Sequence, residues 1–261
     1  MKRNAIVGGV VSLLMGLMFF VACDDNDDDY SLDKYYQSIV TVQGDESGAY
    51  WLKLVNGDLL WPVNQGWLPY YGAEKDERGL ATYNIVGGAD GQFTNLIRLI
   101  SLSGILTKDV WDWTAANKDT VVLKNWDPGV IEEAWIEKGE TVNYINVIFQ
   151  YRAHKNVVHY INLIQDNRNT EVVNPTGGVW SLKFCQNSNG DWIENGSKYR
   201  TLVSFIIPKD INLSTLTKIN IDFKDWKEAT QVYTINVKNS SSTTFSASEV
   251  KEFEEGIQGM E

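Results

Sequence analysis

Eleven short runs rich in Val, Ile, Leu, Thr and aromatic residues, bounded by Gly, Asn or Asp, fill most of the chain after residue 36. Five of them (QSIVTV, AYWLKLV, DLLWPV, GLATYNIV and NLIRLISLSGIL) precede residue 107, and six (VNYINVIFQYRA, VVHYINLIQ, GVWSLKFC, RTLVSFII, LTKINIDFK and QVYTINVK) follow residue 141. Runs of that length and make-up read as strands. No helix-length pattern of period 3.6 alternates with them, which argues against a parallel α/β sheet and for an all-β chain. Between the two groups, Leu106–Gly129 loses regular alternation and gathers turn residues. Five strands within residues 33–107 suit a small OB-like barrel, and the later set, residues 108–240, suits an antiparallel β-sandwich.

Two hairpins can be read residue by residue. Asn56-Gly57 separates two apolar runs, and this pair tolerates the φ > 0 that a two-residue hairpin turn needs. That loop sets Leu54 opposite Leu59 and Leu52 opposite Trp61. Alternation then gives Tyr50, Leu52, Leu54, Leu59 and Trp61 the core face, and Trp51, Lys53, Val55, Asp58, Leu60 and Pro62 the other. The second hairpin turns at His154, Lys155 and Asn156. A three-residue loop aligns Phe149 with Ile161 and Val147 with Leu163, a continuous apolar face. His159 then falls beside Tyr151 as a packed, hydrogen-bonded histidine, and His154 is a loop residue. "GGADG", Gly87–Gly91, reads as a hairpin turn rather than a phosphate cradle, and Cys185 as a semi-buried residue on the second face of its strand. Helix is scarce. Thr114–Asp119 is long enough for one turn. Ser246 and Glu249 resemble a capping box ahead of Val250, Phe253 and Ile257, which places a candidate short helix in the tail 241–261.

The N-terminus carries a different signal. Lys2 and Arg3 precede an uncharged apolar run, Ala5–Ala22, as in a secretory signal. "FVAC" ends it, resembling a bacterial lipobox in which the cysteine is acylated and becomes the first mature residue. The expectation is a cleaved lipoprotein signal peptide over 1–22 and a lipidated acidic tether over 23–32. Cys23 would bear the acyl chains, palmitate among them. Each buried CH2 contributes about 0.8 kcal/mol, so several chains hold the protein to a bilayer. Asp24, Asp25, Asp27, Asp28 and Asp29 follow at once. Such a one-sign block stays solvated as a tether. It also resembles the acidic export signal that sends some lipoproteins to the outer face of the outer membrane, so the expected location is the outer membrane, lipid-anchored and exposed at the cell surface, with a periplasm-facing anchor as the alternative.

The net charge is −11, and nucleic-acid binding needs clustered Lys and Arg; nucleic acid is therefore not an expected partner. Besides Cys23 only Cys185 is present, so the mature chain has no intramolecular disulfide to form. There is no H-E-x-x-H, G-x-S-x-G, Walker loop or Cys-x-x-Cys. Glu132-Glu133 and Asp222/Asp225 are the carboxylate pairs that a glycosidase would need, although pairs this close in sequence more often line solvated faces. No catalytic residue, metal or cofactor is expected. Asp119-Thr120-Val121 fits a short Asp-Thr-aliphatic acceptor pattern, which makes Thr120 a candidate O-glycosylation site. The surplus is aromatic: 10 Trp and 12 Tyr, more than a plain core uses. Trp51, Lys53, Trp67, Tyr70 and Tyr71 form a candidate ligand face, since OB barrels bind oligosaccharides on strands 2 and 3. Aromatic packing between the two halves is the competing use.

The lipobox with its acid run, "YYQSIVTV", "YWLKLVNGDLLWP", "GLATYNI", "VNYINVIFQYRAHKNVVHYINLIQD" and "LVSF" occur in the order seen in NigD-like lipoproteins. The resemblance spans most of the mature chain and is a pattern of core strands, not of a site. It implies an N-terminal OB-like domain followed by a C-terminal β-sandwich, and it carries no reaction and no catalytic residue. Two functions follow as expectations. One is a non-catalytic, membrane-anchored surface module that binds a glycan or a protein partner. The other is an accessory subunit of an outer-membrane complex with no small ligand.

Overall fold

The computed structural model describes residues 32, 34–66, 77–114, 126–139, 141–154, 157–168, 174–239, 252, 253, 256 and 260. The first five strands are β1 (Tyr36–Gly44), β2 (Tyr50–Leu54), β3 (Leu59–Pro62), β4 (Arg78–Gly87) and β5 (Asn95–Gly104). They close a barrel in the order β1-β2-β3-β5-β4. β1 is long enough to pair with β4 through its first half and β2 through its second, and β3 runs parallel to β5. This is the five-stranded OB arrangement, and it leaves the barrel no long open edge. Val40, Val42, Leu52, Leu60, Ile97, Leu99 and Leu102 fill its interior.

The β2–β3 register differs from the expectation by one residue. Leu52 faces Leu60 and Lys53 faces Leu59. The loop holds three residues, Val55, Asn56 and Gly57, closed by Leu54 N–H to Asp58 O at 2.9 Å and Gly57 N–H to Leu54 O at 3.0 Å. Only Gly57 takes a left-handed φ, +91°, so the turn that needs two such residues is not formed. A one-residue slip exchanges every side chain between faces. Leu60 and Pro62 therefore point into the core, and Leu59 and Trp61 point out. The Gly87–Gly91 stretch does turn a hairpin, between β4 and β5, closed by reciprocal bonds between Asp90 and Phe93.

The later strands are β6 (Leu106–Asp109), β7 (Trp111–Trp113), β8 (Val130–Lys138), β9 (Asn143–Ala153), β10 (Tyr160–Asp166), β11 (Val179–Asn187), β12 (Ser197–Ile206), β13 (Lys218–Lys224) and β14 (Thr230–Asn236). They stack as two sheets, β6-β12-β9-β8 and β14-β13-β11-β10-β7. The sandwich is mixed rather than antiparallel throughout: β6 with β12, β7 with β10 and β11 with β13 are parallel pairs. The chain repeatedly crosses from one sheet to the other, and such crossovers return strands in parallel.

The second expected hairpin is not formed. β9 and β10 belong to opposite sheets, and the chain crosses between them around His154. Phe149, Ile161, Val147 and Leu163 still share one core cluster, but they meet across the sandwich and not along a ladder. Apolar face matching cannot tell these two arrangements apart. β9 is buried on both faces: Ile145, Val147 and Phe149 enter the sandwich core, while Asn146 and Ile148 face the barrel side.

The junction of the two halves has its own apolar cluster. Leu80 and Ile105 meet Trp135, Ile148 and Leu202, with Ile39 at the margin. Phe253, 1% exposed, fills the same cluster from the C-terminus. Glu252, Phe253 and Gly256 have helical backbone there, and the Tyr151 hydroxyl donates to the Gly256 carbonyl at 2.9 Å. The other residues of the expected helix, and residues 115–119, lie outside the described residues. No helix among the described residues is long and apolar enough to cross a membrane.

Candidate functional site

The slipped register builds an aromatic face on strands 2 and 3 of the barrel. Trp51 in β2 and Trp61 in β3 both project outward and are half-buried. Extending the Leu52–Leu60 register by one residue brings the two indoles level. Phe93, from the β4–β5 turn, contacts both. Its ring centroid lies 6.1 Å from Trp51, edge-on, and 4.7 Å from Trp61, tilted. These spacings fall within the range at which aromatic pairs gain energy beyond their buried area. The neighbouring Thr94 fixes the turn that carries Phe93. Its N–H donates to Leu59 O at 2.7 Å and its hydroxyl to Asp58 Oδ1 at 3.3 Å. Asp58 in turn accepts from Asn56 Nδ2 at 2.8 Å. Lys53 shares the outer face of β2, and its side chain lines a cleft of about 320 Å³ where the barrel meets the β8–β9 turn.

The other expected site residues are dispersed. Cys23, Asp24, Asp25, Asp27, Asp28, Asp29, Trp67, Tyr70, Tyr71 and Thr120 lie outside the described residues. Cys185 is fully buried rather than semi-buried, because Trp113 and Ile164 cover the second face of its strand, with Trp111 and Trp126 beside them. Burial pushes its thiol up to about 12, which leaves almost no thiolate near neutral pH. His159 is packed as expected, with its ring 5.0 Å from Tyr151, Nε2 3.3 Å from Asp191 Oδ2 and Nδ1 3.0 Å from Gln186 Nε2. His154 is an exposed loop residue. Glu132 accepts from Gln150 and Arg200. Asp225 caps its own turn through the N–H groups of Lys227 and Ala229. Asp222 stands apart on β13, its carboxyl raised by burial against the lowering pull of Lys183. No group of three or more His, Cys, Asp or Glu that could hold a metal occurs among the described residues.

The largest omission from the sequence reading is a buried ionic knot between barrel and sandwich. Arg78 Nη2 donates to Glu137 Oε2 at 2.8 Å, with side chains only 3% and 6% exposed. Asn146 Nδ2 donates to the same oxygen at 2.6 Å, and Ser204 Oγ donates to Asn146 Oδ1 at 2.6 Å. The Arg78 guanidinium lies 3.7 Å from the Tyr144 ring centre. β8, which carries Glu137, is absent from the strands read above. A bulge between Ile131 and Glu133 breaks its period, so the core residues Ile131, Ala134 and Ile136 are not evenly spaced.

A closed OB barrel joined to a β-sandwich defines the class: a two-part, all-β protein with an aromatic face on the barrel. Residues 114–237 match the NigD-like C-terminal beta sandwich domain, so the sandwich half of the chain is a NigD-like domain. Three solved structures share the fold. A protein of unknown function from the DUF1344 family of Bacteroides vulgatus has a TM-score of 0.66 at 19% identity, over 84% of this chain and 100% of that one. A NigD-like immunity protein from Bacteroides caccae has a TM-score of 0.51 at 18% identity, over 76% and 90%. A candidate lipoprotein from Bacteroides fragilis has a TM-score of 0.50 at 15% identity, over 80% and 100%. No curated protein matches the chain.

Proposed function

We propose that this protein is a lipid-anchored envelope protein whose barrel is a non-catalytic module for binding a glycan. The observation that carries this reading is the Trp51–Phe93–Trp61 face on strands 2 and 3 of an OB barrel. In that fold this surface binds oligomeric ligands, and flat aromatic faces complement the apolar face of a sugar ring. The acidic net charge, −11, disfavours oligonucleotides on the same surface. The anchor rests on "FVAC" at Cys23 and the outer-membrane surface location on Asp24–Asp29; the B. fragilis fold relative is itself a candidate lipoprotein.

The test is a glycan array probed with the soluble chain from Tyr30 onward, beside Trp51→Ala and Trp61→Ala. Both indoles point outward and pack only on Phe93 among the ring contacts described, so both variants should fold cooperatively and lose no more than about 0.5–1.5 kcal/mol per aromatic pair. Each should lose roughly tenfold or more in affinity for an array hit, the scale of a central aromatic contact. An array without hits would refute the glycan reading and favour an accessory subunit, and a hit that both variants bind unchanged would refute the barrel face as its site. The anchor is tested separately by labelling with a fatty-acid analogue: Cys23→Ala should take up none. Replacing Asp24, Asp25, Asp27, Asp28 and Asp29 with Asn should lower protease accessibility on intact cells. If Thr120 is glycosylated, the native protein should exceed the mass of the lipidated polypeptide.

A further inference from the structure

On the outward face of the five-stranded sheet, β10 and β11 part company. Their ladder ends at Ile164 opposite Lys183, while β11 continues alongside β13 from Val179. The edge thus exposed at Ser181 is taken by the Asn174 amide, which donates to Ser181 O at 2.8 Å and accepts from Ser181 N–H at 3.1 Å. The divergence opens a cavity of about 570 Å³, inside the span of about 300–1,000 Å³ usual for small-molecule sites.

The polar groups of this cavity are pre-set. Asp166 accepts from Arg168 Nε at 2.9 Å and Nη2 at 2.8 Å, and from Lys183 Nζ at 2.9 Å. These bonds hold its carboxyl well below the usual carboxylate range, against a smaller opposing effect of burial. The Arg168 guanidinium also lies 3.2 Å from the centre of the Trp113 ring. One shared anion and one aromatic plate therefore fix both cations, with donor protons to spare. Beside Lys183, its ladder partner Asp222 on β13 and Ser181 two residues earlier on β11 line the same cavity, and neither the Asp222 carboxylate nor the Ser181 hydroxyl has a hydrogen-bond partner among the described residues. Val179 adds an apolar patch to the same wall.

We propose that this pocket is a second ligand site, built for a neutral saccharide unit. The four charges, Arg168, Lys183, Asp166 and Asp222, sum to zero. A bare anion would meet Asp222, and a bare cation would have to compete with Arg168 and Lys183 for Asp166. Adjacent hydroxyls both donate and accept, so together they satisfy the acceptor Asp222, the Ser181 hydroxyl and the donors Arg168 and Lys183. The C–H face of the ring covers Val179. A polar site with unpaired groups rejects a ligand that cannot pair them.

The test uses the soluble chain from Tyr30 onward, an array of neutral and acidic oligosaccharides, and calorimetry with each oligosaccharide retained. Asp222→Asn and Ser181→Ala remove no side-chain hydrogen bond among the described residues and should melt as wild type. For a neutral oligosaccharide seated in the pocket, Asp222→Asn should weaken binding roughly tenfold, the scale of a hydrogen bond to a charged group. Trp51→Ala with Trp61→Ala should leave that binding unchanged. The proposal is overturned if no neutral oligosaccharide binds, if only acidic ones respond to Asp222→Asn, or if Asp222→Asn and Ser181→Ala both bind as wild type. Loss of every hit in the tryptophan variants alone would support the barrel face and refute this pocket.

Discussion

Glu137→Leu should destabilise the protein by about 3–5 kcal/mol, the cost of stranding a buried charge. Arg78 is 3% exposed at its side chain and Glu137 is its only ion-pair partner among the described residues. Its Nε already lacks a hydrogen bond, and Glu137→Leu would leave the guanidinium only the long bond from Nη2 to Asn146 Oδ1 at 3.4 Å. Asn146 would lose its acceptor as well, adding about 1–3 kcal/mol if the amide stays dry. Arg78→Met is the mirror perturbation and should cost a similar amount, because it leaves the Glu137 carboxylate buried against Asn146 alone. The double variant removes both charges and should return to within about 2 kcal/mol of wild type, since an apolar replacement of a buried pair is often neutral or better. Urea unfolding of the soluble chain from Tyr30 onward measures all four proteins. A Glu137→Leu cost below about 1 kcal/mol, or singles that merely add in the double, would refute the claim that these charges form one desolvated unit.

Phe253→Ala should cost about 3–5 kcal/mol by emptying the junction cluster of Leu80, Trp135, Ile148 and Leu202; an unchanged melting temperature would show that the C-terminus contributes nothing there. Cys185 should resist a thiol reagent at pH 8 in the folded soluble chain and react after denaturation, because its thiol is raised to about 12 by burial; prompt labelling of the native protein would contradict that packing. Asp166 has a depressed carboxyl, so its stabilising contribution is present above the unfolded value of about 3.9 and is lost as pH falls through the folded one. Asp166→Asn should therefore flatten the acid limb of the stability curve, and identical acid limbs would argue against the Arg168–Asp166–Lys183 cluster.

Local chemistry was enough to place most strands. Period-2 runs bounded by turn residues marked eleven of the fourteen, because alternation is imposed by one strand's own pleat and needs no partner. β8 stayed hidden because the bulge at Glu132 shifts its period. The segment of β6, four residues, and β7, three residues, read as irregular because neighbours distant in sequence, β12 and β10, hold those short strands in place.

The sequence by itself determined an all-β chain, a net charge of −11 and the packed character of His159. Only the tertiary structure decided which apolar faces met. Trp61 moved to the outer face because a three-residue loop with a single left-handed glycine replaced the expected two-residue turn, and the resulting slip inverted β3. Phe149 and Ile161 became neighbours across a sandwich instead of along a ladder, since burial energy rewards contact without specifying its direction. Arg78 and Glu137, 59 residues apart, carry no mutual signal in the sequence. A charged side chain looks the same wherever it is written, and only the closing of barrel onto sandwich removes these two from water together.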